Sequence, residues 1–296
     1  MEKQSNSLLA IFLLAILSII WGSSFLLMKI GLDAFSPLEI AAIRLTIAGL
    51  VLLPVVVMKI GSLNIKQILL LAIIGLTGNG IPAFLFPLAE QVLPTAVAGV
   101  LNAMTPIFTV ILAAAFFKAR FPLIQVVGIT IGLVGTILLA TANEEGVDLS
   151  QNIQYSLLIV LATICYAISV NLTKEYFSTT SPFLITGVAL FSLAIPSVVF
   201  LLAKGDLITR METHPDFWPS FGAVALLGAI GTALAVALFY RMLQISSLIF
   251  ATSVTYTIPI VAVLIGVFYL NDSLDWRHYL GFSVILGGVY LVNRKR

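Results

Sequence analysis

Apolar residues run along this chain in stretches of about twenty, broken by short polar or proline-marked gaps. A helix rising ~1.5 Å per residue needs ~20 such residues to cross ~30 Å of hydrocarbon. The pattern predicts five helices at about 8–31, 37–58, 68–88, 95–117 and 123–141, and five more at about 153–174, 182–203, 219–242, 247–270 and 276–293. Ser36-Pro37, Pro94, Pro122, Ser181-Pro182 and Pro219 stand at or just before a first turn, where a missing N–H costs little. Connections are short, except an acidic stretch at 143–151 and a loop at 204–218. The expected fold class is an all-α polytopic membrane protein of ten transmembrane helices, with no soluble domain.

Composition strengthens this picture. Hydrophobic residues make up 60% and charged residues 9%, against roughly 45–50% and about 25% in soluble domains. So few charges cannot cover a water-exposed surface, so the expected partner over most of the surface is the lipid bilayer. The first stretch starts like a secretory signal after Lys3, but its apolar run continues to Met28 with no small-residue cleavage site; it reads as an uncleaved span. A net charge of +2 without a basic tract argues against nucleic acid. The single cysteine, Cys165, excludes an intramolecular disulfide and a cysteine metal cluster, and no cofactor is expected.

Charge alternates from gap to gap. With the N-terminus inside, one side receives Lys3, Lys59, Lys66, Lys118, Arg120, Lys174, Arg241 and the basic residues 294–296. The other receives Asp33, Glu90, Glu144, Glu145, Asp148, Asp206, Glu212, Asp216, Asp272 and Asp275. Lys204, Arg210 and Arg277 are the bases on the acidic side. The Lys/Arg bias predicts both termini on the cytoplasmic face.

The chain also repeats. A shift of 153 residues aligns Gly75 with Gly228, Gly78 with Gly231, Phe86 with Phe239, Gln91 with Gln244, Pro106 with Pro259, Gly128 with Gly281 and Gly135 with Gly288. Upstream, a shift of 145 aligns Ser24 with Ser169, Lys29 with Lys174 and Pro37 with Pro182, and sets Trp21 against Tyr166. Five spans per repeat is an odd number, so the second copy enters the membrane inverted. This predicts two inverted five-helix repeats, residues 1–143 and 144–296, an arrangement typical of secondary transporters with a midplane site between the repeats.

Trp21-Gly-Ser-Ser-Phe25 with Lys29, then Arg44, then Thr105-Pro106 with Gly128 and Gly135, echoed by Ile258-Pro259 with Gly281 and Gly288, resembles the EamA-type proteins of the drug/metabolite transporter superfamily. The resemblance covers nearly the whole chain. It implies a ten-helix inner-membrane carrier, most often an exporter of amino acids or other small metabolites. One departure is visible: where the family often has a glutamate after spans four and nine, Ala119 and Asp272 stand here.

Candidate solute contacts follow from polar groups beside irregular backbone. Gly75, Gly78, Gly80 and Pro82 in span three answer to Gly228 and Gly231 in span eight, a matched loosening that points to a cavity beside Asn79 and Thr232. Pro106 and Pro259 are expected to kink spans four and nine beside Asn102, Thr105 and Tyr256. Trp21, with Ser24 a turn later, lies about 20 Å into span one, too deep for an interfacial belt, and pairs with Tyr166 as a wall or gate. Arg44 lies inside span two and needs compensation from Glu39, Asp33, backbone carbonyls or a substrate carboxylate. Lys29 is a second charge candidate, although at a helix end it can also snorkel. The expected path runs between the halves, along spans one, three, four, six, eight and nine.

Absences narrow the class. No Asp, Glu or His lies deep in a span, which weakens proton antiport and multidrug cation efflux. No His-Glu-x-x-His, paired aspartates or Ser-His pair points to an enzyme. A channel would want a continuous polar lining. The expectation is a monomeric secondary transporter, exporter or facilitator, for small molecules such as amino acids. A proton-coupled antiporter and then a channel are the alternatives.

Overall fold

The computed structural model describes residues 2–93, 95–141, 153–205, 207–270 and 275–293. Pro94, Glu144, Glu145, Asp148, Asp206, Asp272 and residues 294–296 lie outside them. Its helices are α1 (Glu2–Gly31), α2 (Pro37–Lys59), α3 (Ile65–Gly75), α4 (Ile81–Glu90), α5 (Thr95–Asn102), α6 (Thr105–Phe117), α7 (Leu123–Ala140) and α8 (Ile153–Tyr176). They continue as α9 (Pro182–Lys204), α10 (Leu207–Thr213), α11 (Phe217–Leu226), α12 (Ala235–Ile245), α13 (Leu248–Thr252), α14 (Val254–Leu270) and α15 (Trp276–Asn293). No strand occurs among the described residues. Nine helical stretches among them are long and apolar enough to cross a bilayer, which makes this a polytopic membrane protein. The last helix, α15, is 18 residues long like α7, but its first turn carries the polar Arg277 and His278 after Trp276.

Caps set the helix starts. Ser36 and Glu39 form a capping box at α2, and Asn64 and Gln67 form another at α3, which therefore begins at Ile65 rather than near residue 68. The predicted third and eighth spans do not run as plain α-helices. Leu76–Gly80 joins α3 to α4 and Leu227–Leu234 joins α11 to α12, both as π-turns. In them Ile81 N–H reaches back five residues to Leu76 O, and Ala235 N–H to Ile230 O. The fourth predicted span breaks at Ala103 and Met104, and the ninth at Ser253. The expected 204–218 loop contains α10.

Pairings between the two halves come in matched sets. α2 lies along α9 and α7 along α15; α1 packs on α14 as α8 packs on α6; and α1 meets α12 as α8 meets α4. Each contact has a counterpart with the halves exchanged. Polar groups join the second set: the Ser18 and Thr257 hydroxyls are 2.5 Å apart, and Asn171 Nδ2 donates to Thr109 O at 3.1 Å. Asn171 is thus a buried helix tie. The α7–α15 contact is backbone to backbone, since a Cβ on Gly288 would stand 2.7 Å from Gly128 O and 2.6 Å from Gly132 N.

Candidate functional site

A cavity of about 210 Å³ lies between the halves. Both π-turns and both helix breaks lie at or beside its wall. Gly78 and Asn79 come from the first π-turn and Thr232 from the second; Asn102 and Thr105 flank one break, Thr252 and Val254 the other. A regular helix uses its backbone polar groups internally, and irregular turns are tolerated at membrane depth beside a cavity.

Two side chains are tied to the second π-turn. Trp21 Nε1 on α1 donates to Gly231 O at 2.9 Å. Arg44 Nε on α2 donates to Thr232 Oγ1 at 2.5 Å, and that hydroxyl passes its own proton to Leu227 O at 3.1 Å. Gly228 permits this approach: a Cβ there would lie 2.9 Å from Arg44 O. Aromatic rings form another part of the wall. Trp21 and Phe239 stand 5.7 Å apart, Phe239 and Tyr240 6.0 Å, and Phe86 and Tyr166 6.1 Å between centroids.

Arg44 is the one charged residue among the described residues of this wall. No carboxylate among the described residues pairs with it. Glu39, expected as a partner, is spoken for. Its carboxylate accepts from Ser36 N at 2.8 Å and Ser36 Oγ at 2.6 Å, binds Lys204 Nζ at 3.1 Å, and takes a two-pronged contact from Arg210 on α10. Asp33, the other expected partner, is exposed in the turn before α2.

A second polar seam closes the far ends of α8 and α12. Lys174 Nζ donates to Leu243 O at 2.5 Å and Ser246 O at 2.9 Å, capping the last carbonyls of α12. Gln244 Nε2 donates to Phe177 O at 3.2 Å and Thr180 O at 2.7 Å beyond the end of α8. Lys174 is therefore a helix tie. Its repeat counterpart Lys29 and the counterpart Gln91 of Gln244 are both exposed.

The cavity gathers Trp21, Ser24, Asn79, Asn102, Thr105, Tyr166 and Thr232 from the residues singled out in the sequence, and Arg44 with them. Tyr256 is not among them. It is fully buried behind the wall against Gly132, with its hydroxyl unpartnered, and its neighbour Thr255 faces the cavity instead. Lys29, Pro82, Pro106 and Pro259 also lie off the wall. Pro82 and Pro106 stand in first turns just after the irregular segments, and Pro259 is inside α14. Phe86, Ser169, Phe239 and Tyr240 line the cavity without having been named as contacts. Three of these four had a signal: Phe86 and Phe239 match across the halves, and Ser169 matches Ser24.

Comparison with known proteins covers the same ground. The model of the EamA-like transporter family matches residues 8–141 and again 154–294. The chain is similar to the uncharacterized inner membrane transporter YedA of Escherichia coli, at 29% identity over 93% of this chain and 88% of that protein. It is also similar to a probable terminal-alkyne amino-acid exporter of Streptantibioticus cattleyicolor, at 24% identity over 97% of this chain and 94% of that one. A solved crystal structure shares the fold with a TM-score of 0.74 at 18% identity, over 97% of this chain and 96% of the other.

Proposed function

This chain belongs to the EamA-like transporter family, and on that premise we propose that it is a secondary carrier moving small metabolites of amino-acid size by alternating access. It is a multi-pass membrane transporter; the finer reading concerns substrate, mechanism and topology. We place ten spans in two inverted repeats, both termini in the cytoplasm, the chain acting as a monomer in the inner (plasma) membrane. The matched helix pairings and the doubled family match support the repeat.

The observation that carries the carrier reading is the cavity between the halves, bordered by two π-turns at matched positions. Sites of this kind sit at the repeat interface, and one repeat rocking against the other exposes them alternately. The tied ends of α8 and α12, set against the exposed Lys29 and Gln91, support an access path closed on the Lys174 side and open on the other. The name of the Streptantibioticus relative favours amino acids and export. A wall without Asp, Glu or His favours a facilitator over a proton-coupled antiporter, since it offers no proton relay.

Counterflow in proteoliposomes tests this. Loaded with a panel of unlabelled amino acids, they should take up the labelled solute transiently and saturably, with or without a pH gradient. Non-saturating flux without counterflow identifies a channel and overturns the reading, and strict dependence on a pH gradient supports the antiporter instead.

A further inference from the structure

We propose that this cavity recognises its solute through a carboxylate, and that Arg44 is the group that holds it; the proposal rests on the carrier reading and names the substrate class. An ionisable group at membrane depth is a functional candidate when it faces a cavity, because hydrocarbon provides no counter-charge. Arg44 faces this one and is the one charge among its described lining residues. The nearest carboxylate on its own helix, Glu39, lies five residues earlier, an offset of about 140° around the helix at ~100° per residue. Its oxygens are occupied by Ser36, Lys204 and Arg210.

The guanidinium is also pre-aimed. Thr232 fixes Nε, and that hydroxyl donates onward to Leu227 O, so it accepts from Arg44 and does not compete for a ligand. The two Nη groups make no hydrogen bond or ion pair among the described residues, and Tyr166 is the residue that interacts electrostatically with the guanidinium. The Nη groups form half of the planar fork that matches a carboxylate's two oxygens. One cation suits one carboxylate better than a dicarboxylate or a phosphate dianion. On the same cavity wall, Trp21, Phe86 and Phe239 offer apolar surface for the body of the solute, and ring faces accept an ammonium group. The solute class is a monocarboxylate with an apolar or aromatic body, an amino acid included.

Acid–amide pairs read this directly. Purified protein is titrated with phenylalanine and phenylalaninamide, leucine and leucinamide, and 3-phenylpropionate and 3-phenylpropanamide, with ligand-induced thermal stabilisation as the readout. In wild type each acid should bind at least tenfold more tightly than its uncharged or cationic analogue. Arg44→Gln should erase that preference, and Arg44→Lys, which keeps the charge and loses the fork, should weaken the acids about tenfold and leave the amides unchanged. If Arg44→Gln does not fold, Arg44→Lys carries the comparison. Amides matching acids in wild type, a preference surviving Arg44→Gln, or a panel in which no acid binds overturns the proposal. Counterflow with the same solutes separates the two claims. Equal counterflow of acids and amides leaves the carrier standing and removes the carboxylate; acids that bind but never exchange do the reverse.

Discussion

Lys174 and Gln244 tie the same two helix ends from opposite sides: Lys174 on α8 caps carbonyls at the end of α12, and Gln244 on α12 reaches carbonyls past the end of α8. Neither bond set repeats a contact of the other, yet both close one seam. Their repeat counterparts, Lys29 and Gln91, are left in the open.

Lys174→Met and Gln244→Leu should each loosen that seam. Hydrogen bonds from a charged donor are worth about 1.5–3 kcal/mol and neutral ones about 1, so Lys174→Met is the more costly. Because the two act on one contact, the double variant should lose less than the sum of the singles. Thermal unfolding of the purified variants measures this; strict additivity would mean two independent anchors.

Around Glu39 the expected order of damage is Glu39→Gln, then Arg210→Met, then Lys204→Gln. Glu39 is 1% exposed, whereas the Lys204 side chain is 40% exposed. Removing the buried carboxylate takes the shared partner from both cations, a change of about 3–5 kcal/mol, and an exposed pair is worth about 0–1 kcal/mol. Melting temperatures of the three variants check the order. Equal losses would mean that burial does not set the strength of this cluster.

Adjacent glycines in α15 provide a matched pair. Gly288 meets the α7 backbone, and a Cβ on Gly287 would meet nothing within 4 Å. Gly288→Ala should cost about 1–3 kcal/mol as the helices are forced apart, and Gly287→Ala should be neutral or slightly stabilising through helix propensity. Thermal unfolding of both separates packing from propensity.

Tyr256→Phe should raise stability by about 1 kcal/mol, since it removes a buried hydroxyl that has no partner. Counterflow should be unchanged. Thr255→Val, one residue away on the cavity wall, should leave stability alone and raise KM. A transport defect in Tyr256→Phe would return that residue to the solute path.

The contrast between Thr255 and Tyr256 marks where sequence reasoning stopped. Apolar run length and the 153-residue match were enough to locate the nine membrane-crossing stretches among the described residues and to single out Gly75–Pro82 and Gly228–Thr232 as irregular. Rotation about the helix axis was not legible at 255 and 256, because the break at Ser253 resets the phase that periodicity would have carried through. Arg44 was legible as a problem but not as a solution. Its depth is a matter of counting, yet its lack of a carboxylate depends on Arg210, 171 residues beyond Glu39, folding back to occupy it. Lys204 and Arg210 had looked like exceptions to the charge alternation. Their pairing with Glu39 explains why cations stand on the acidic side.

That pairing also has an order in time. Glu39 is synthesised with α2, and the residues that neutralise it follow more than 160 positions later, from the other half of the chain. Until they emerge, the corner at Ser36–Glu39 holds a carboxylate with only its own cap for company. The first half alone is therefore an unfinished object, and residues 1–143 made as a separate fragment should stay protease-sensitive until the second half is supplied alongside.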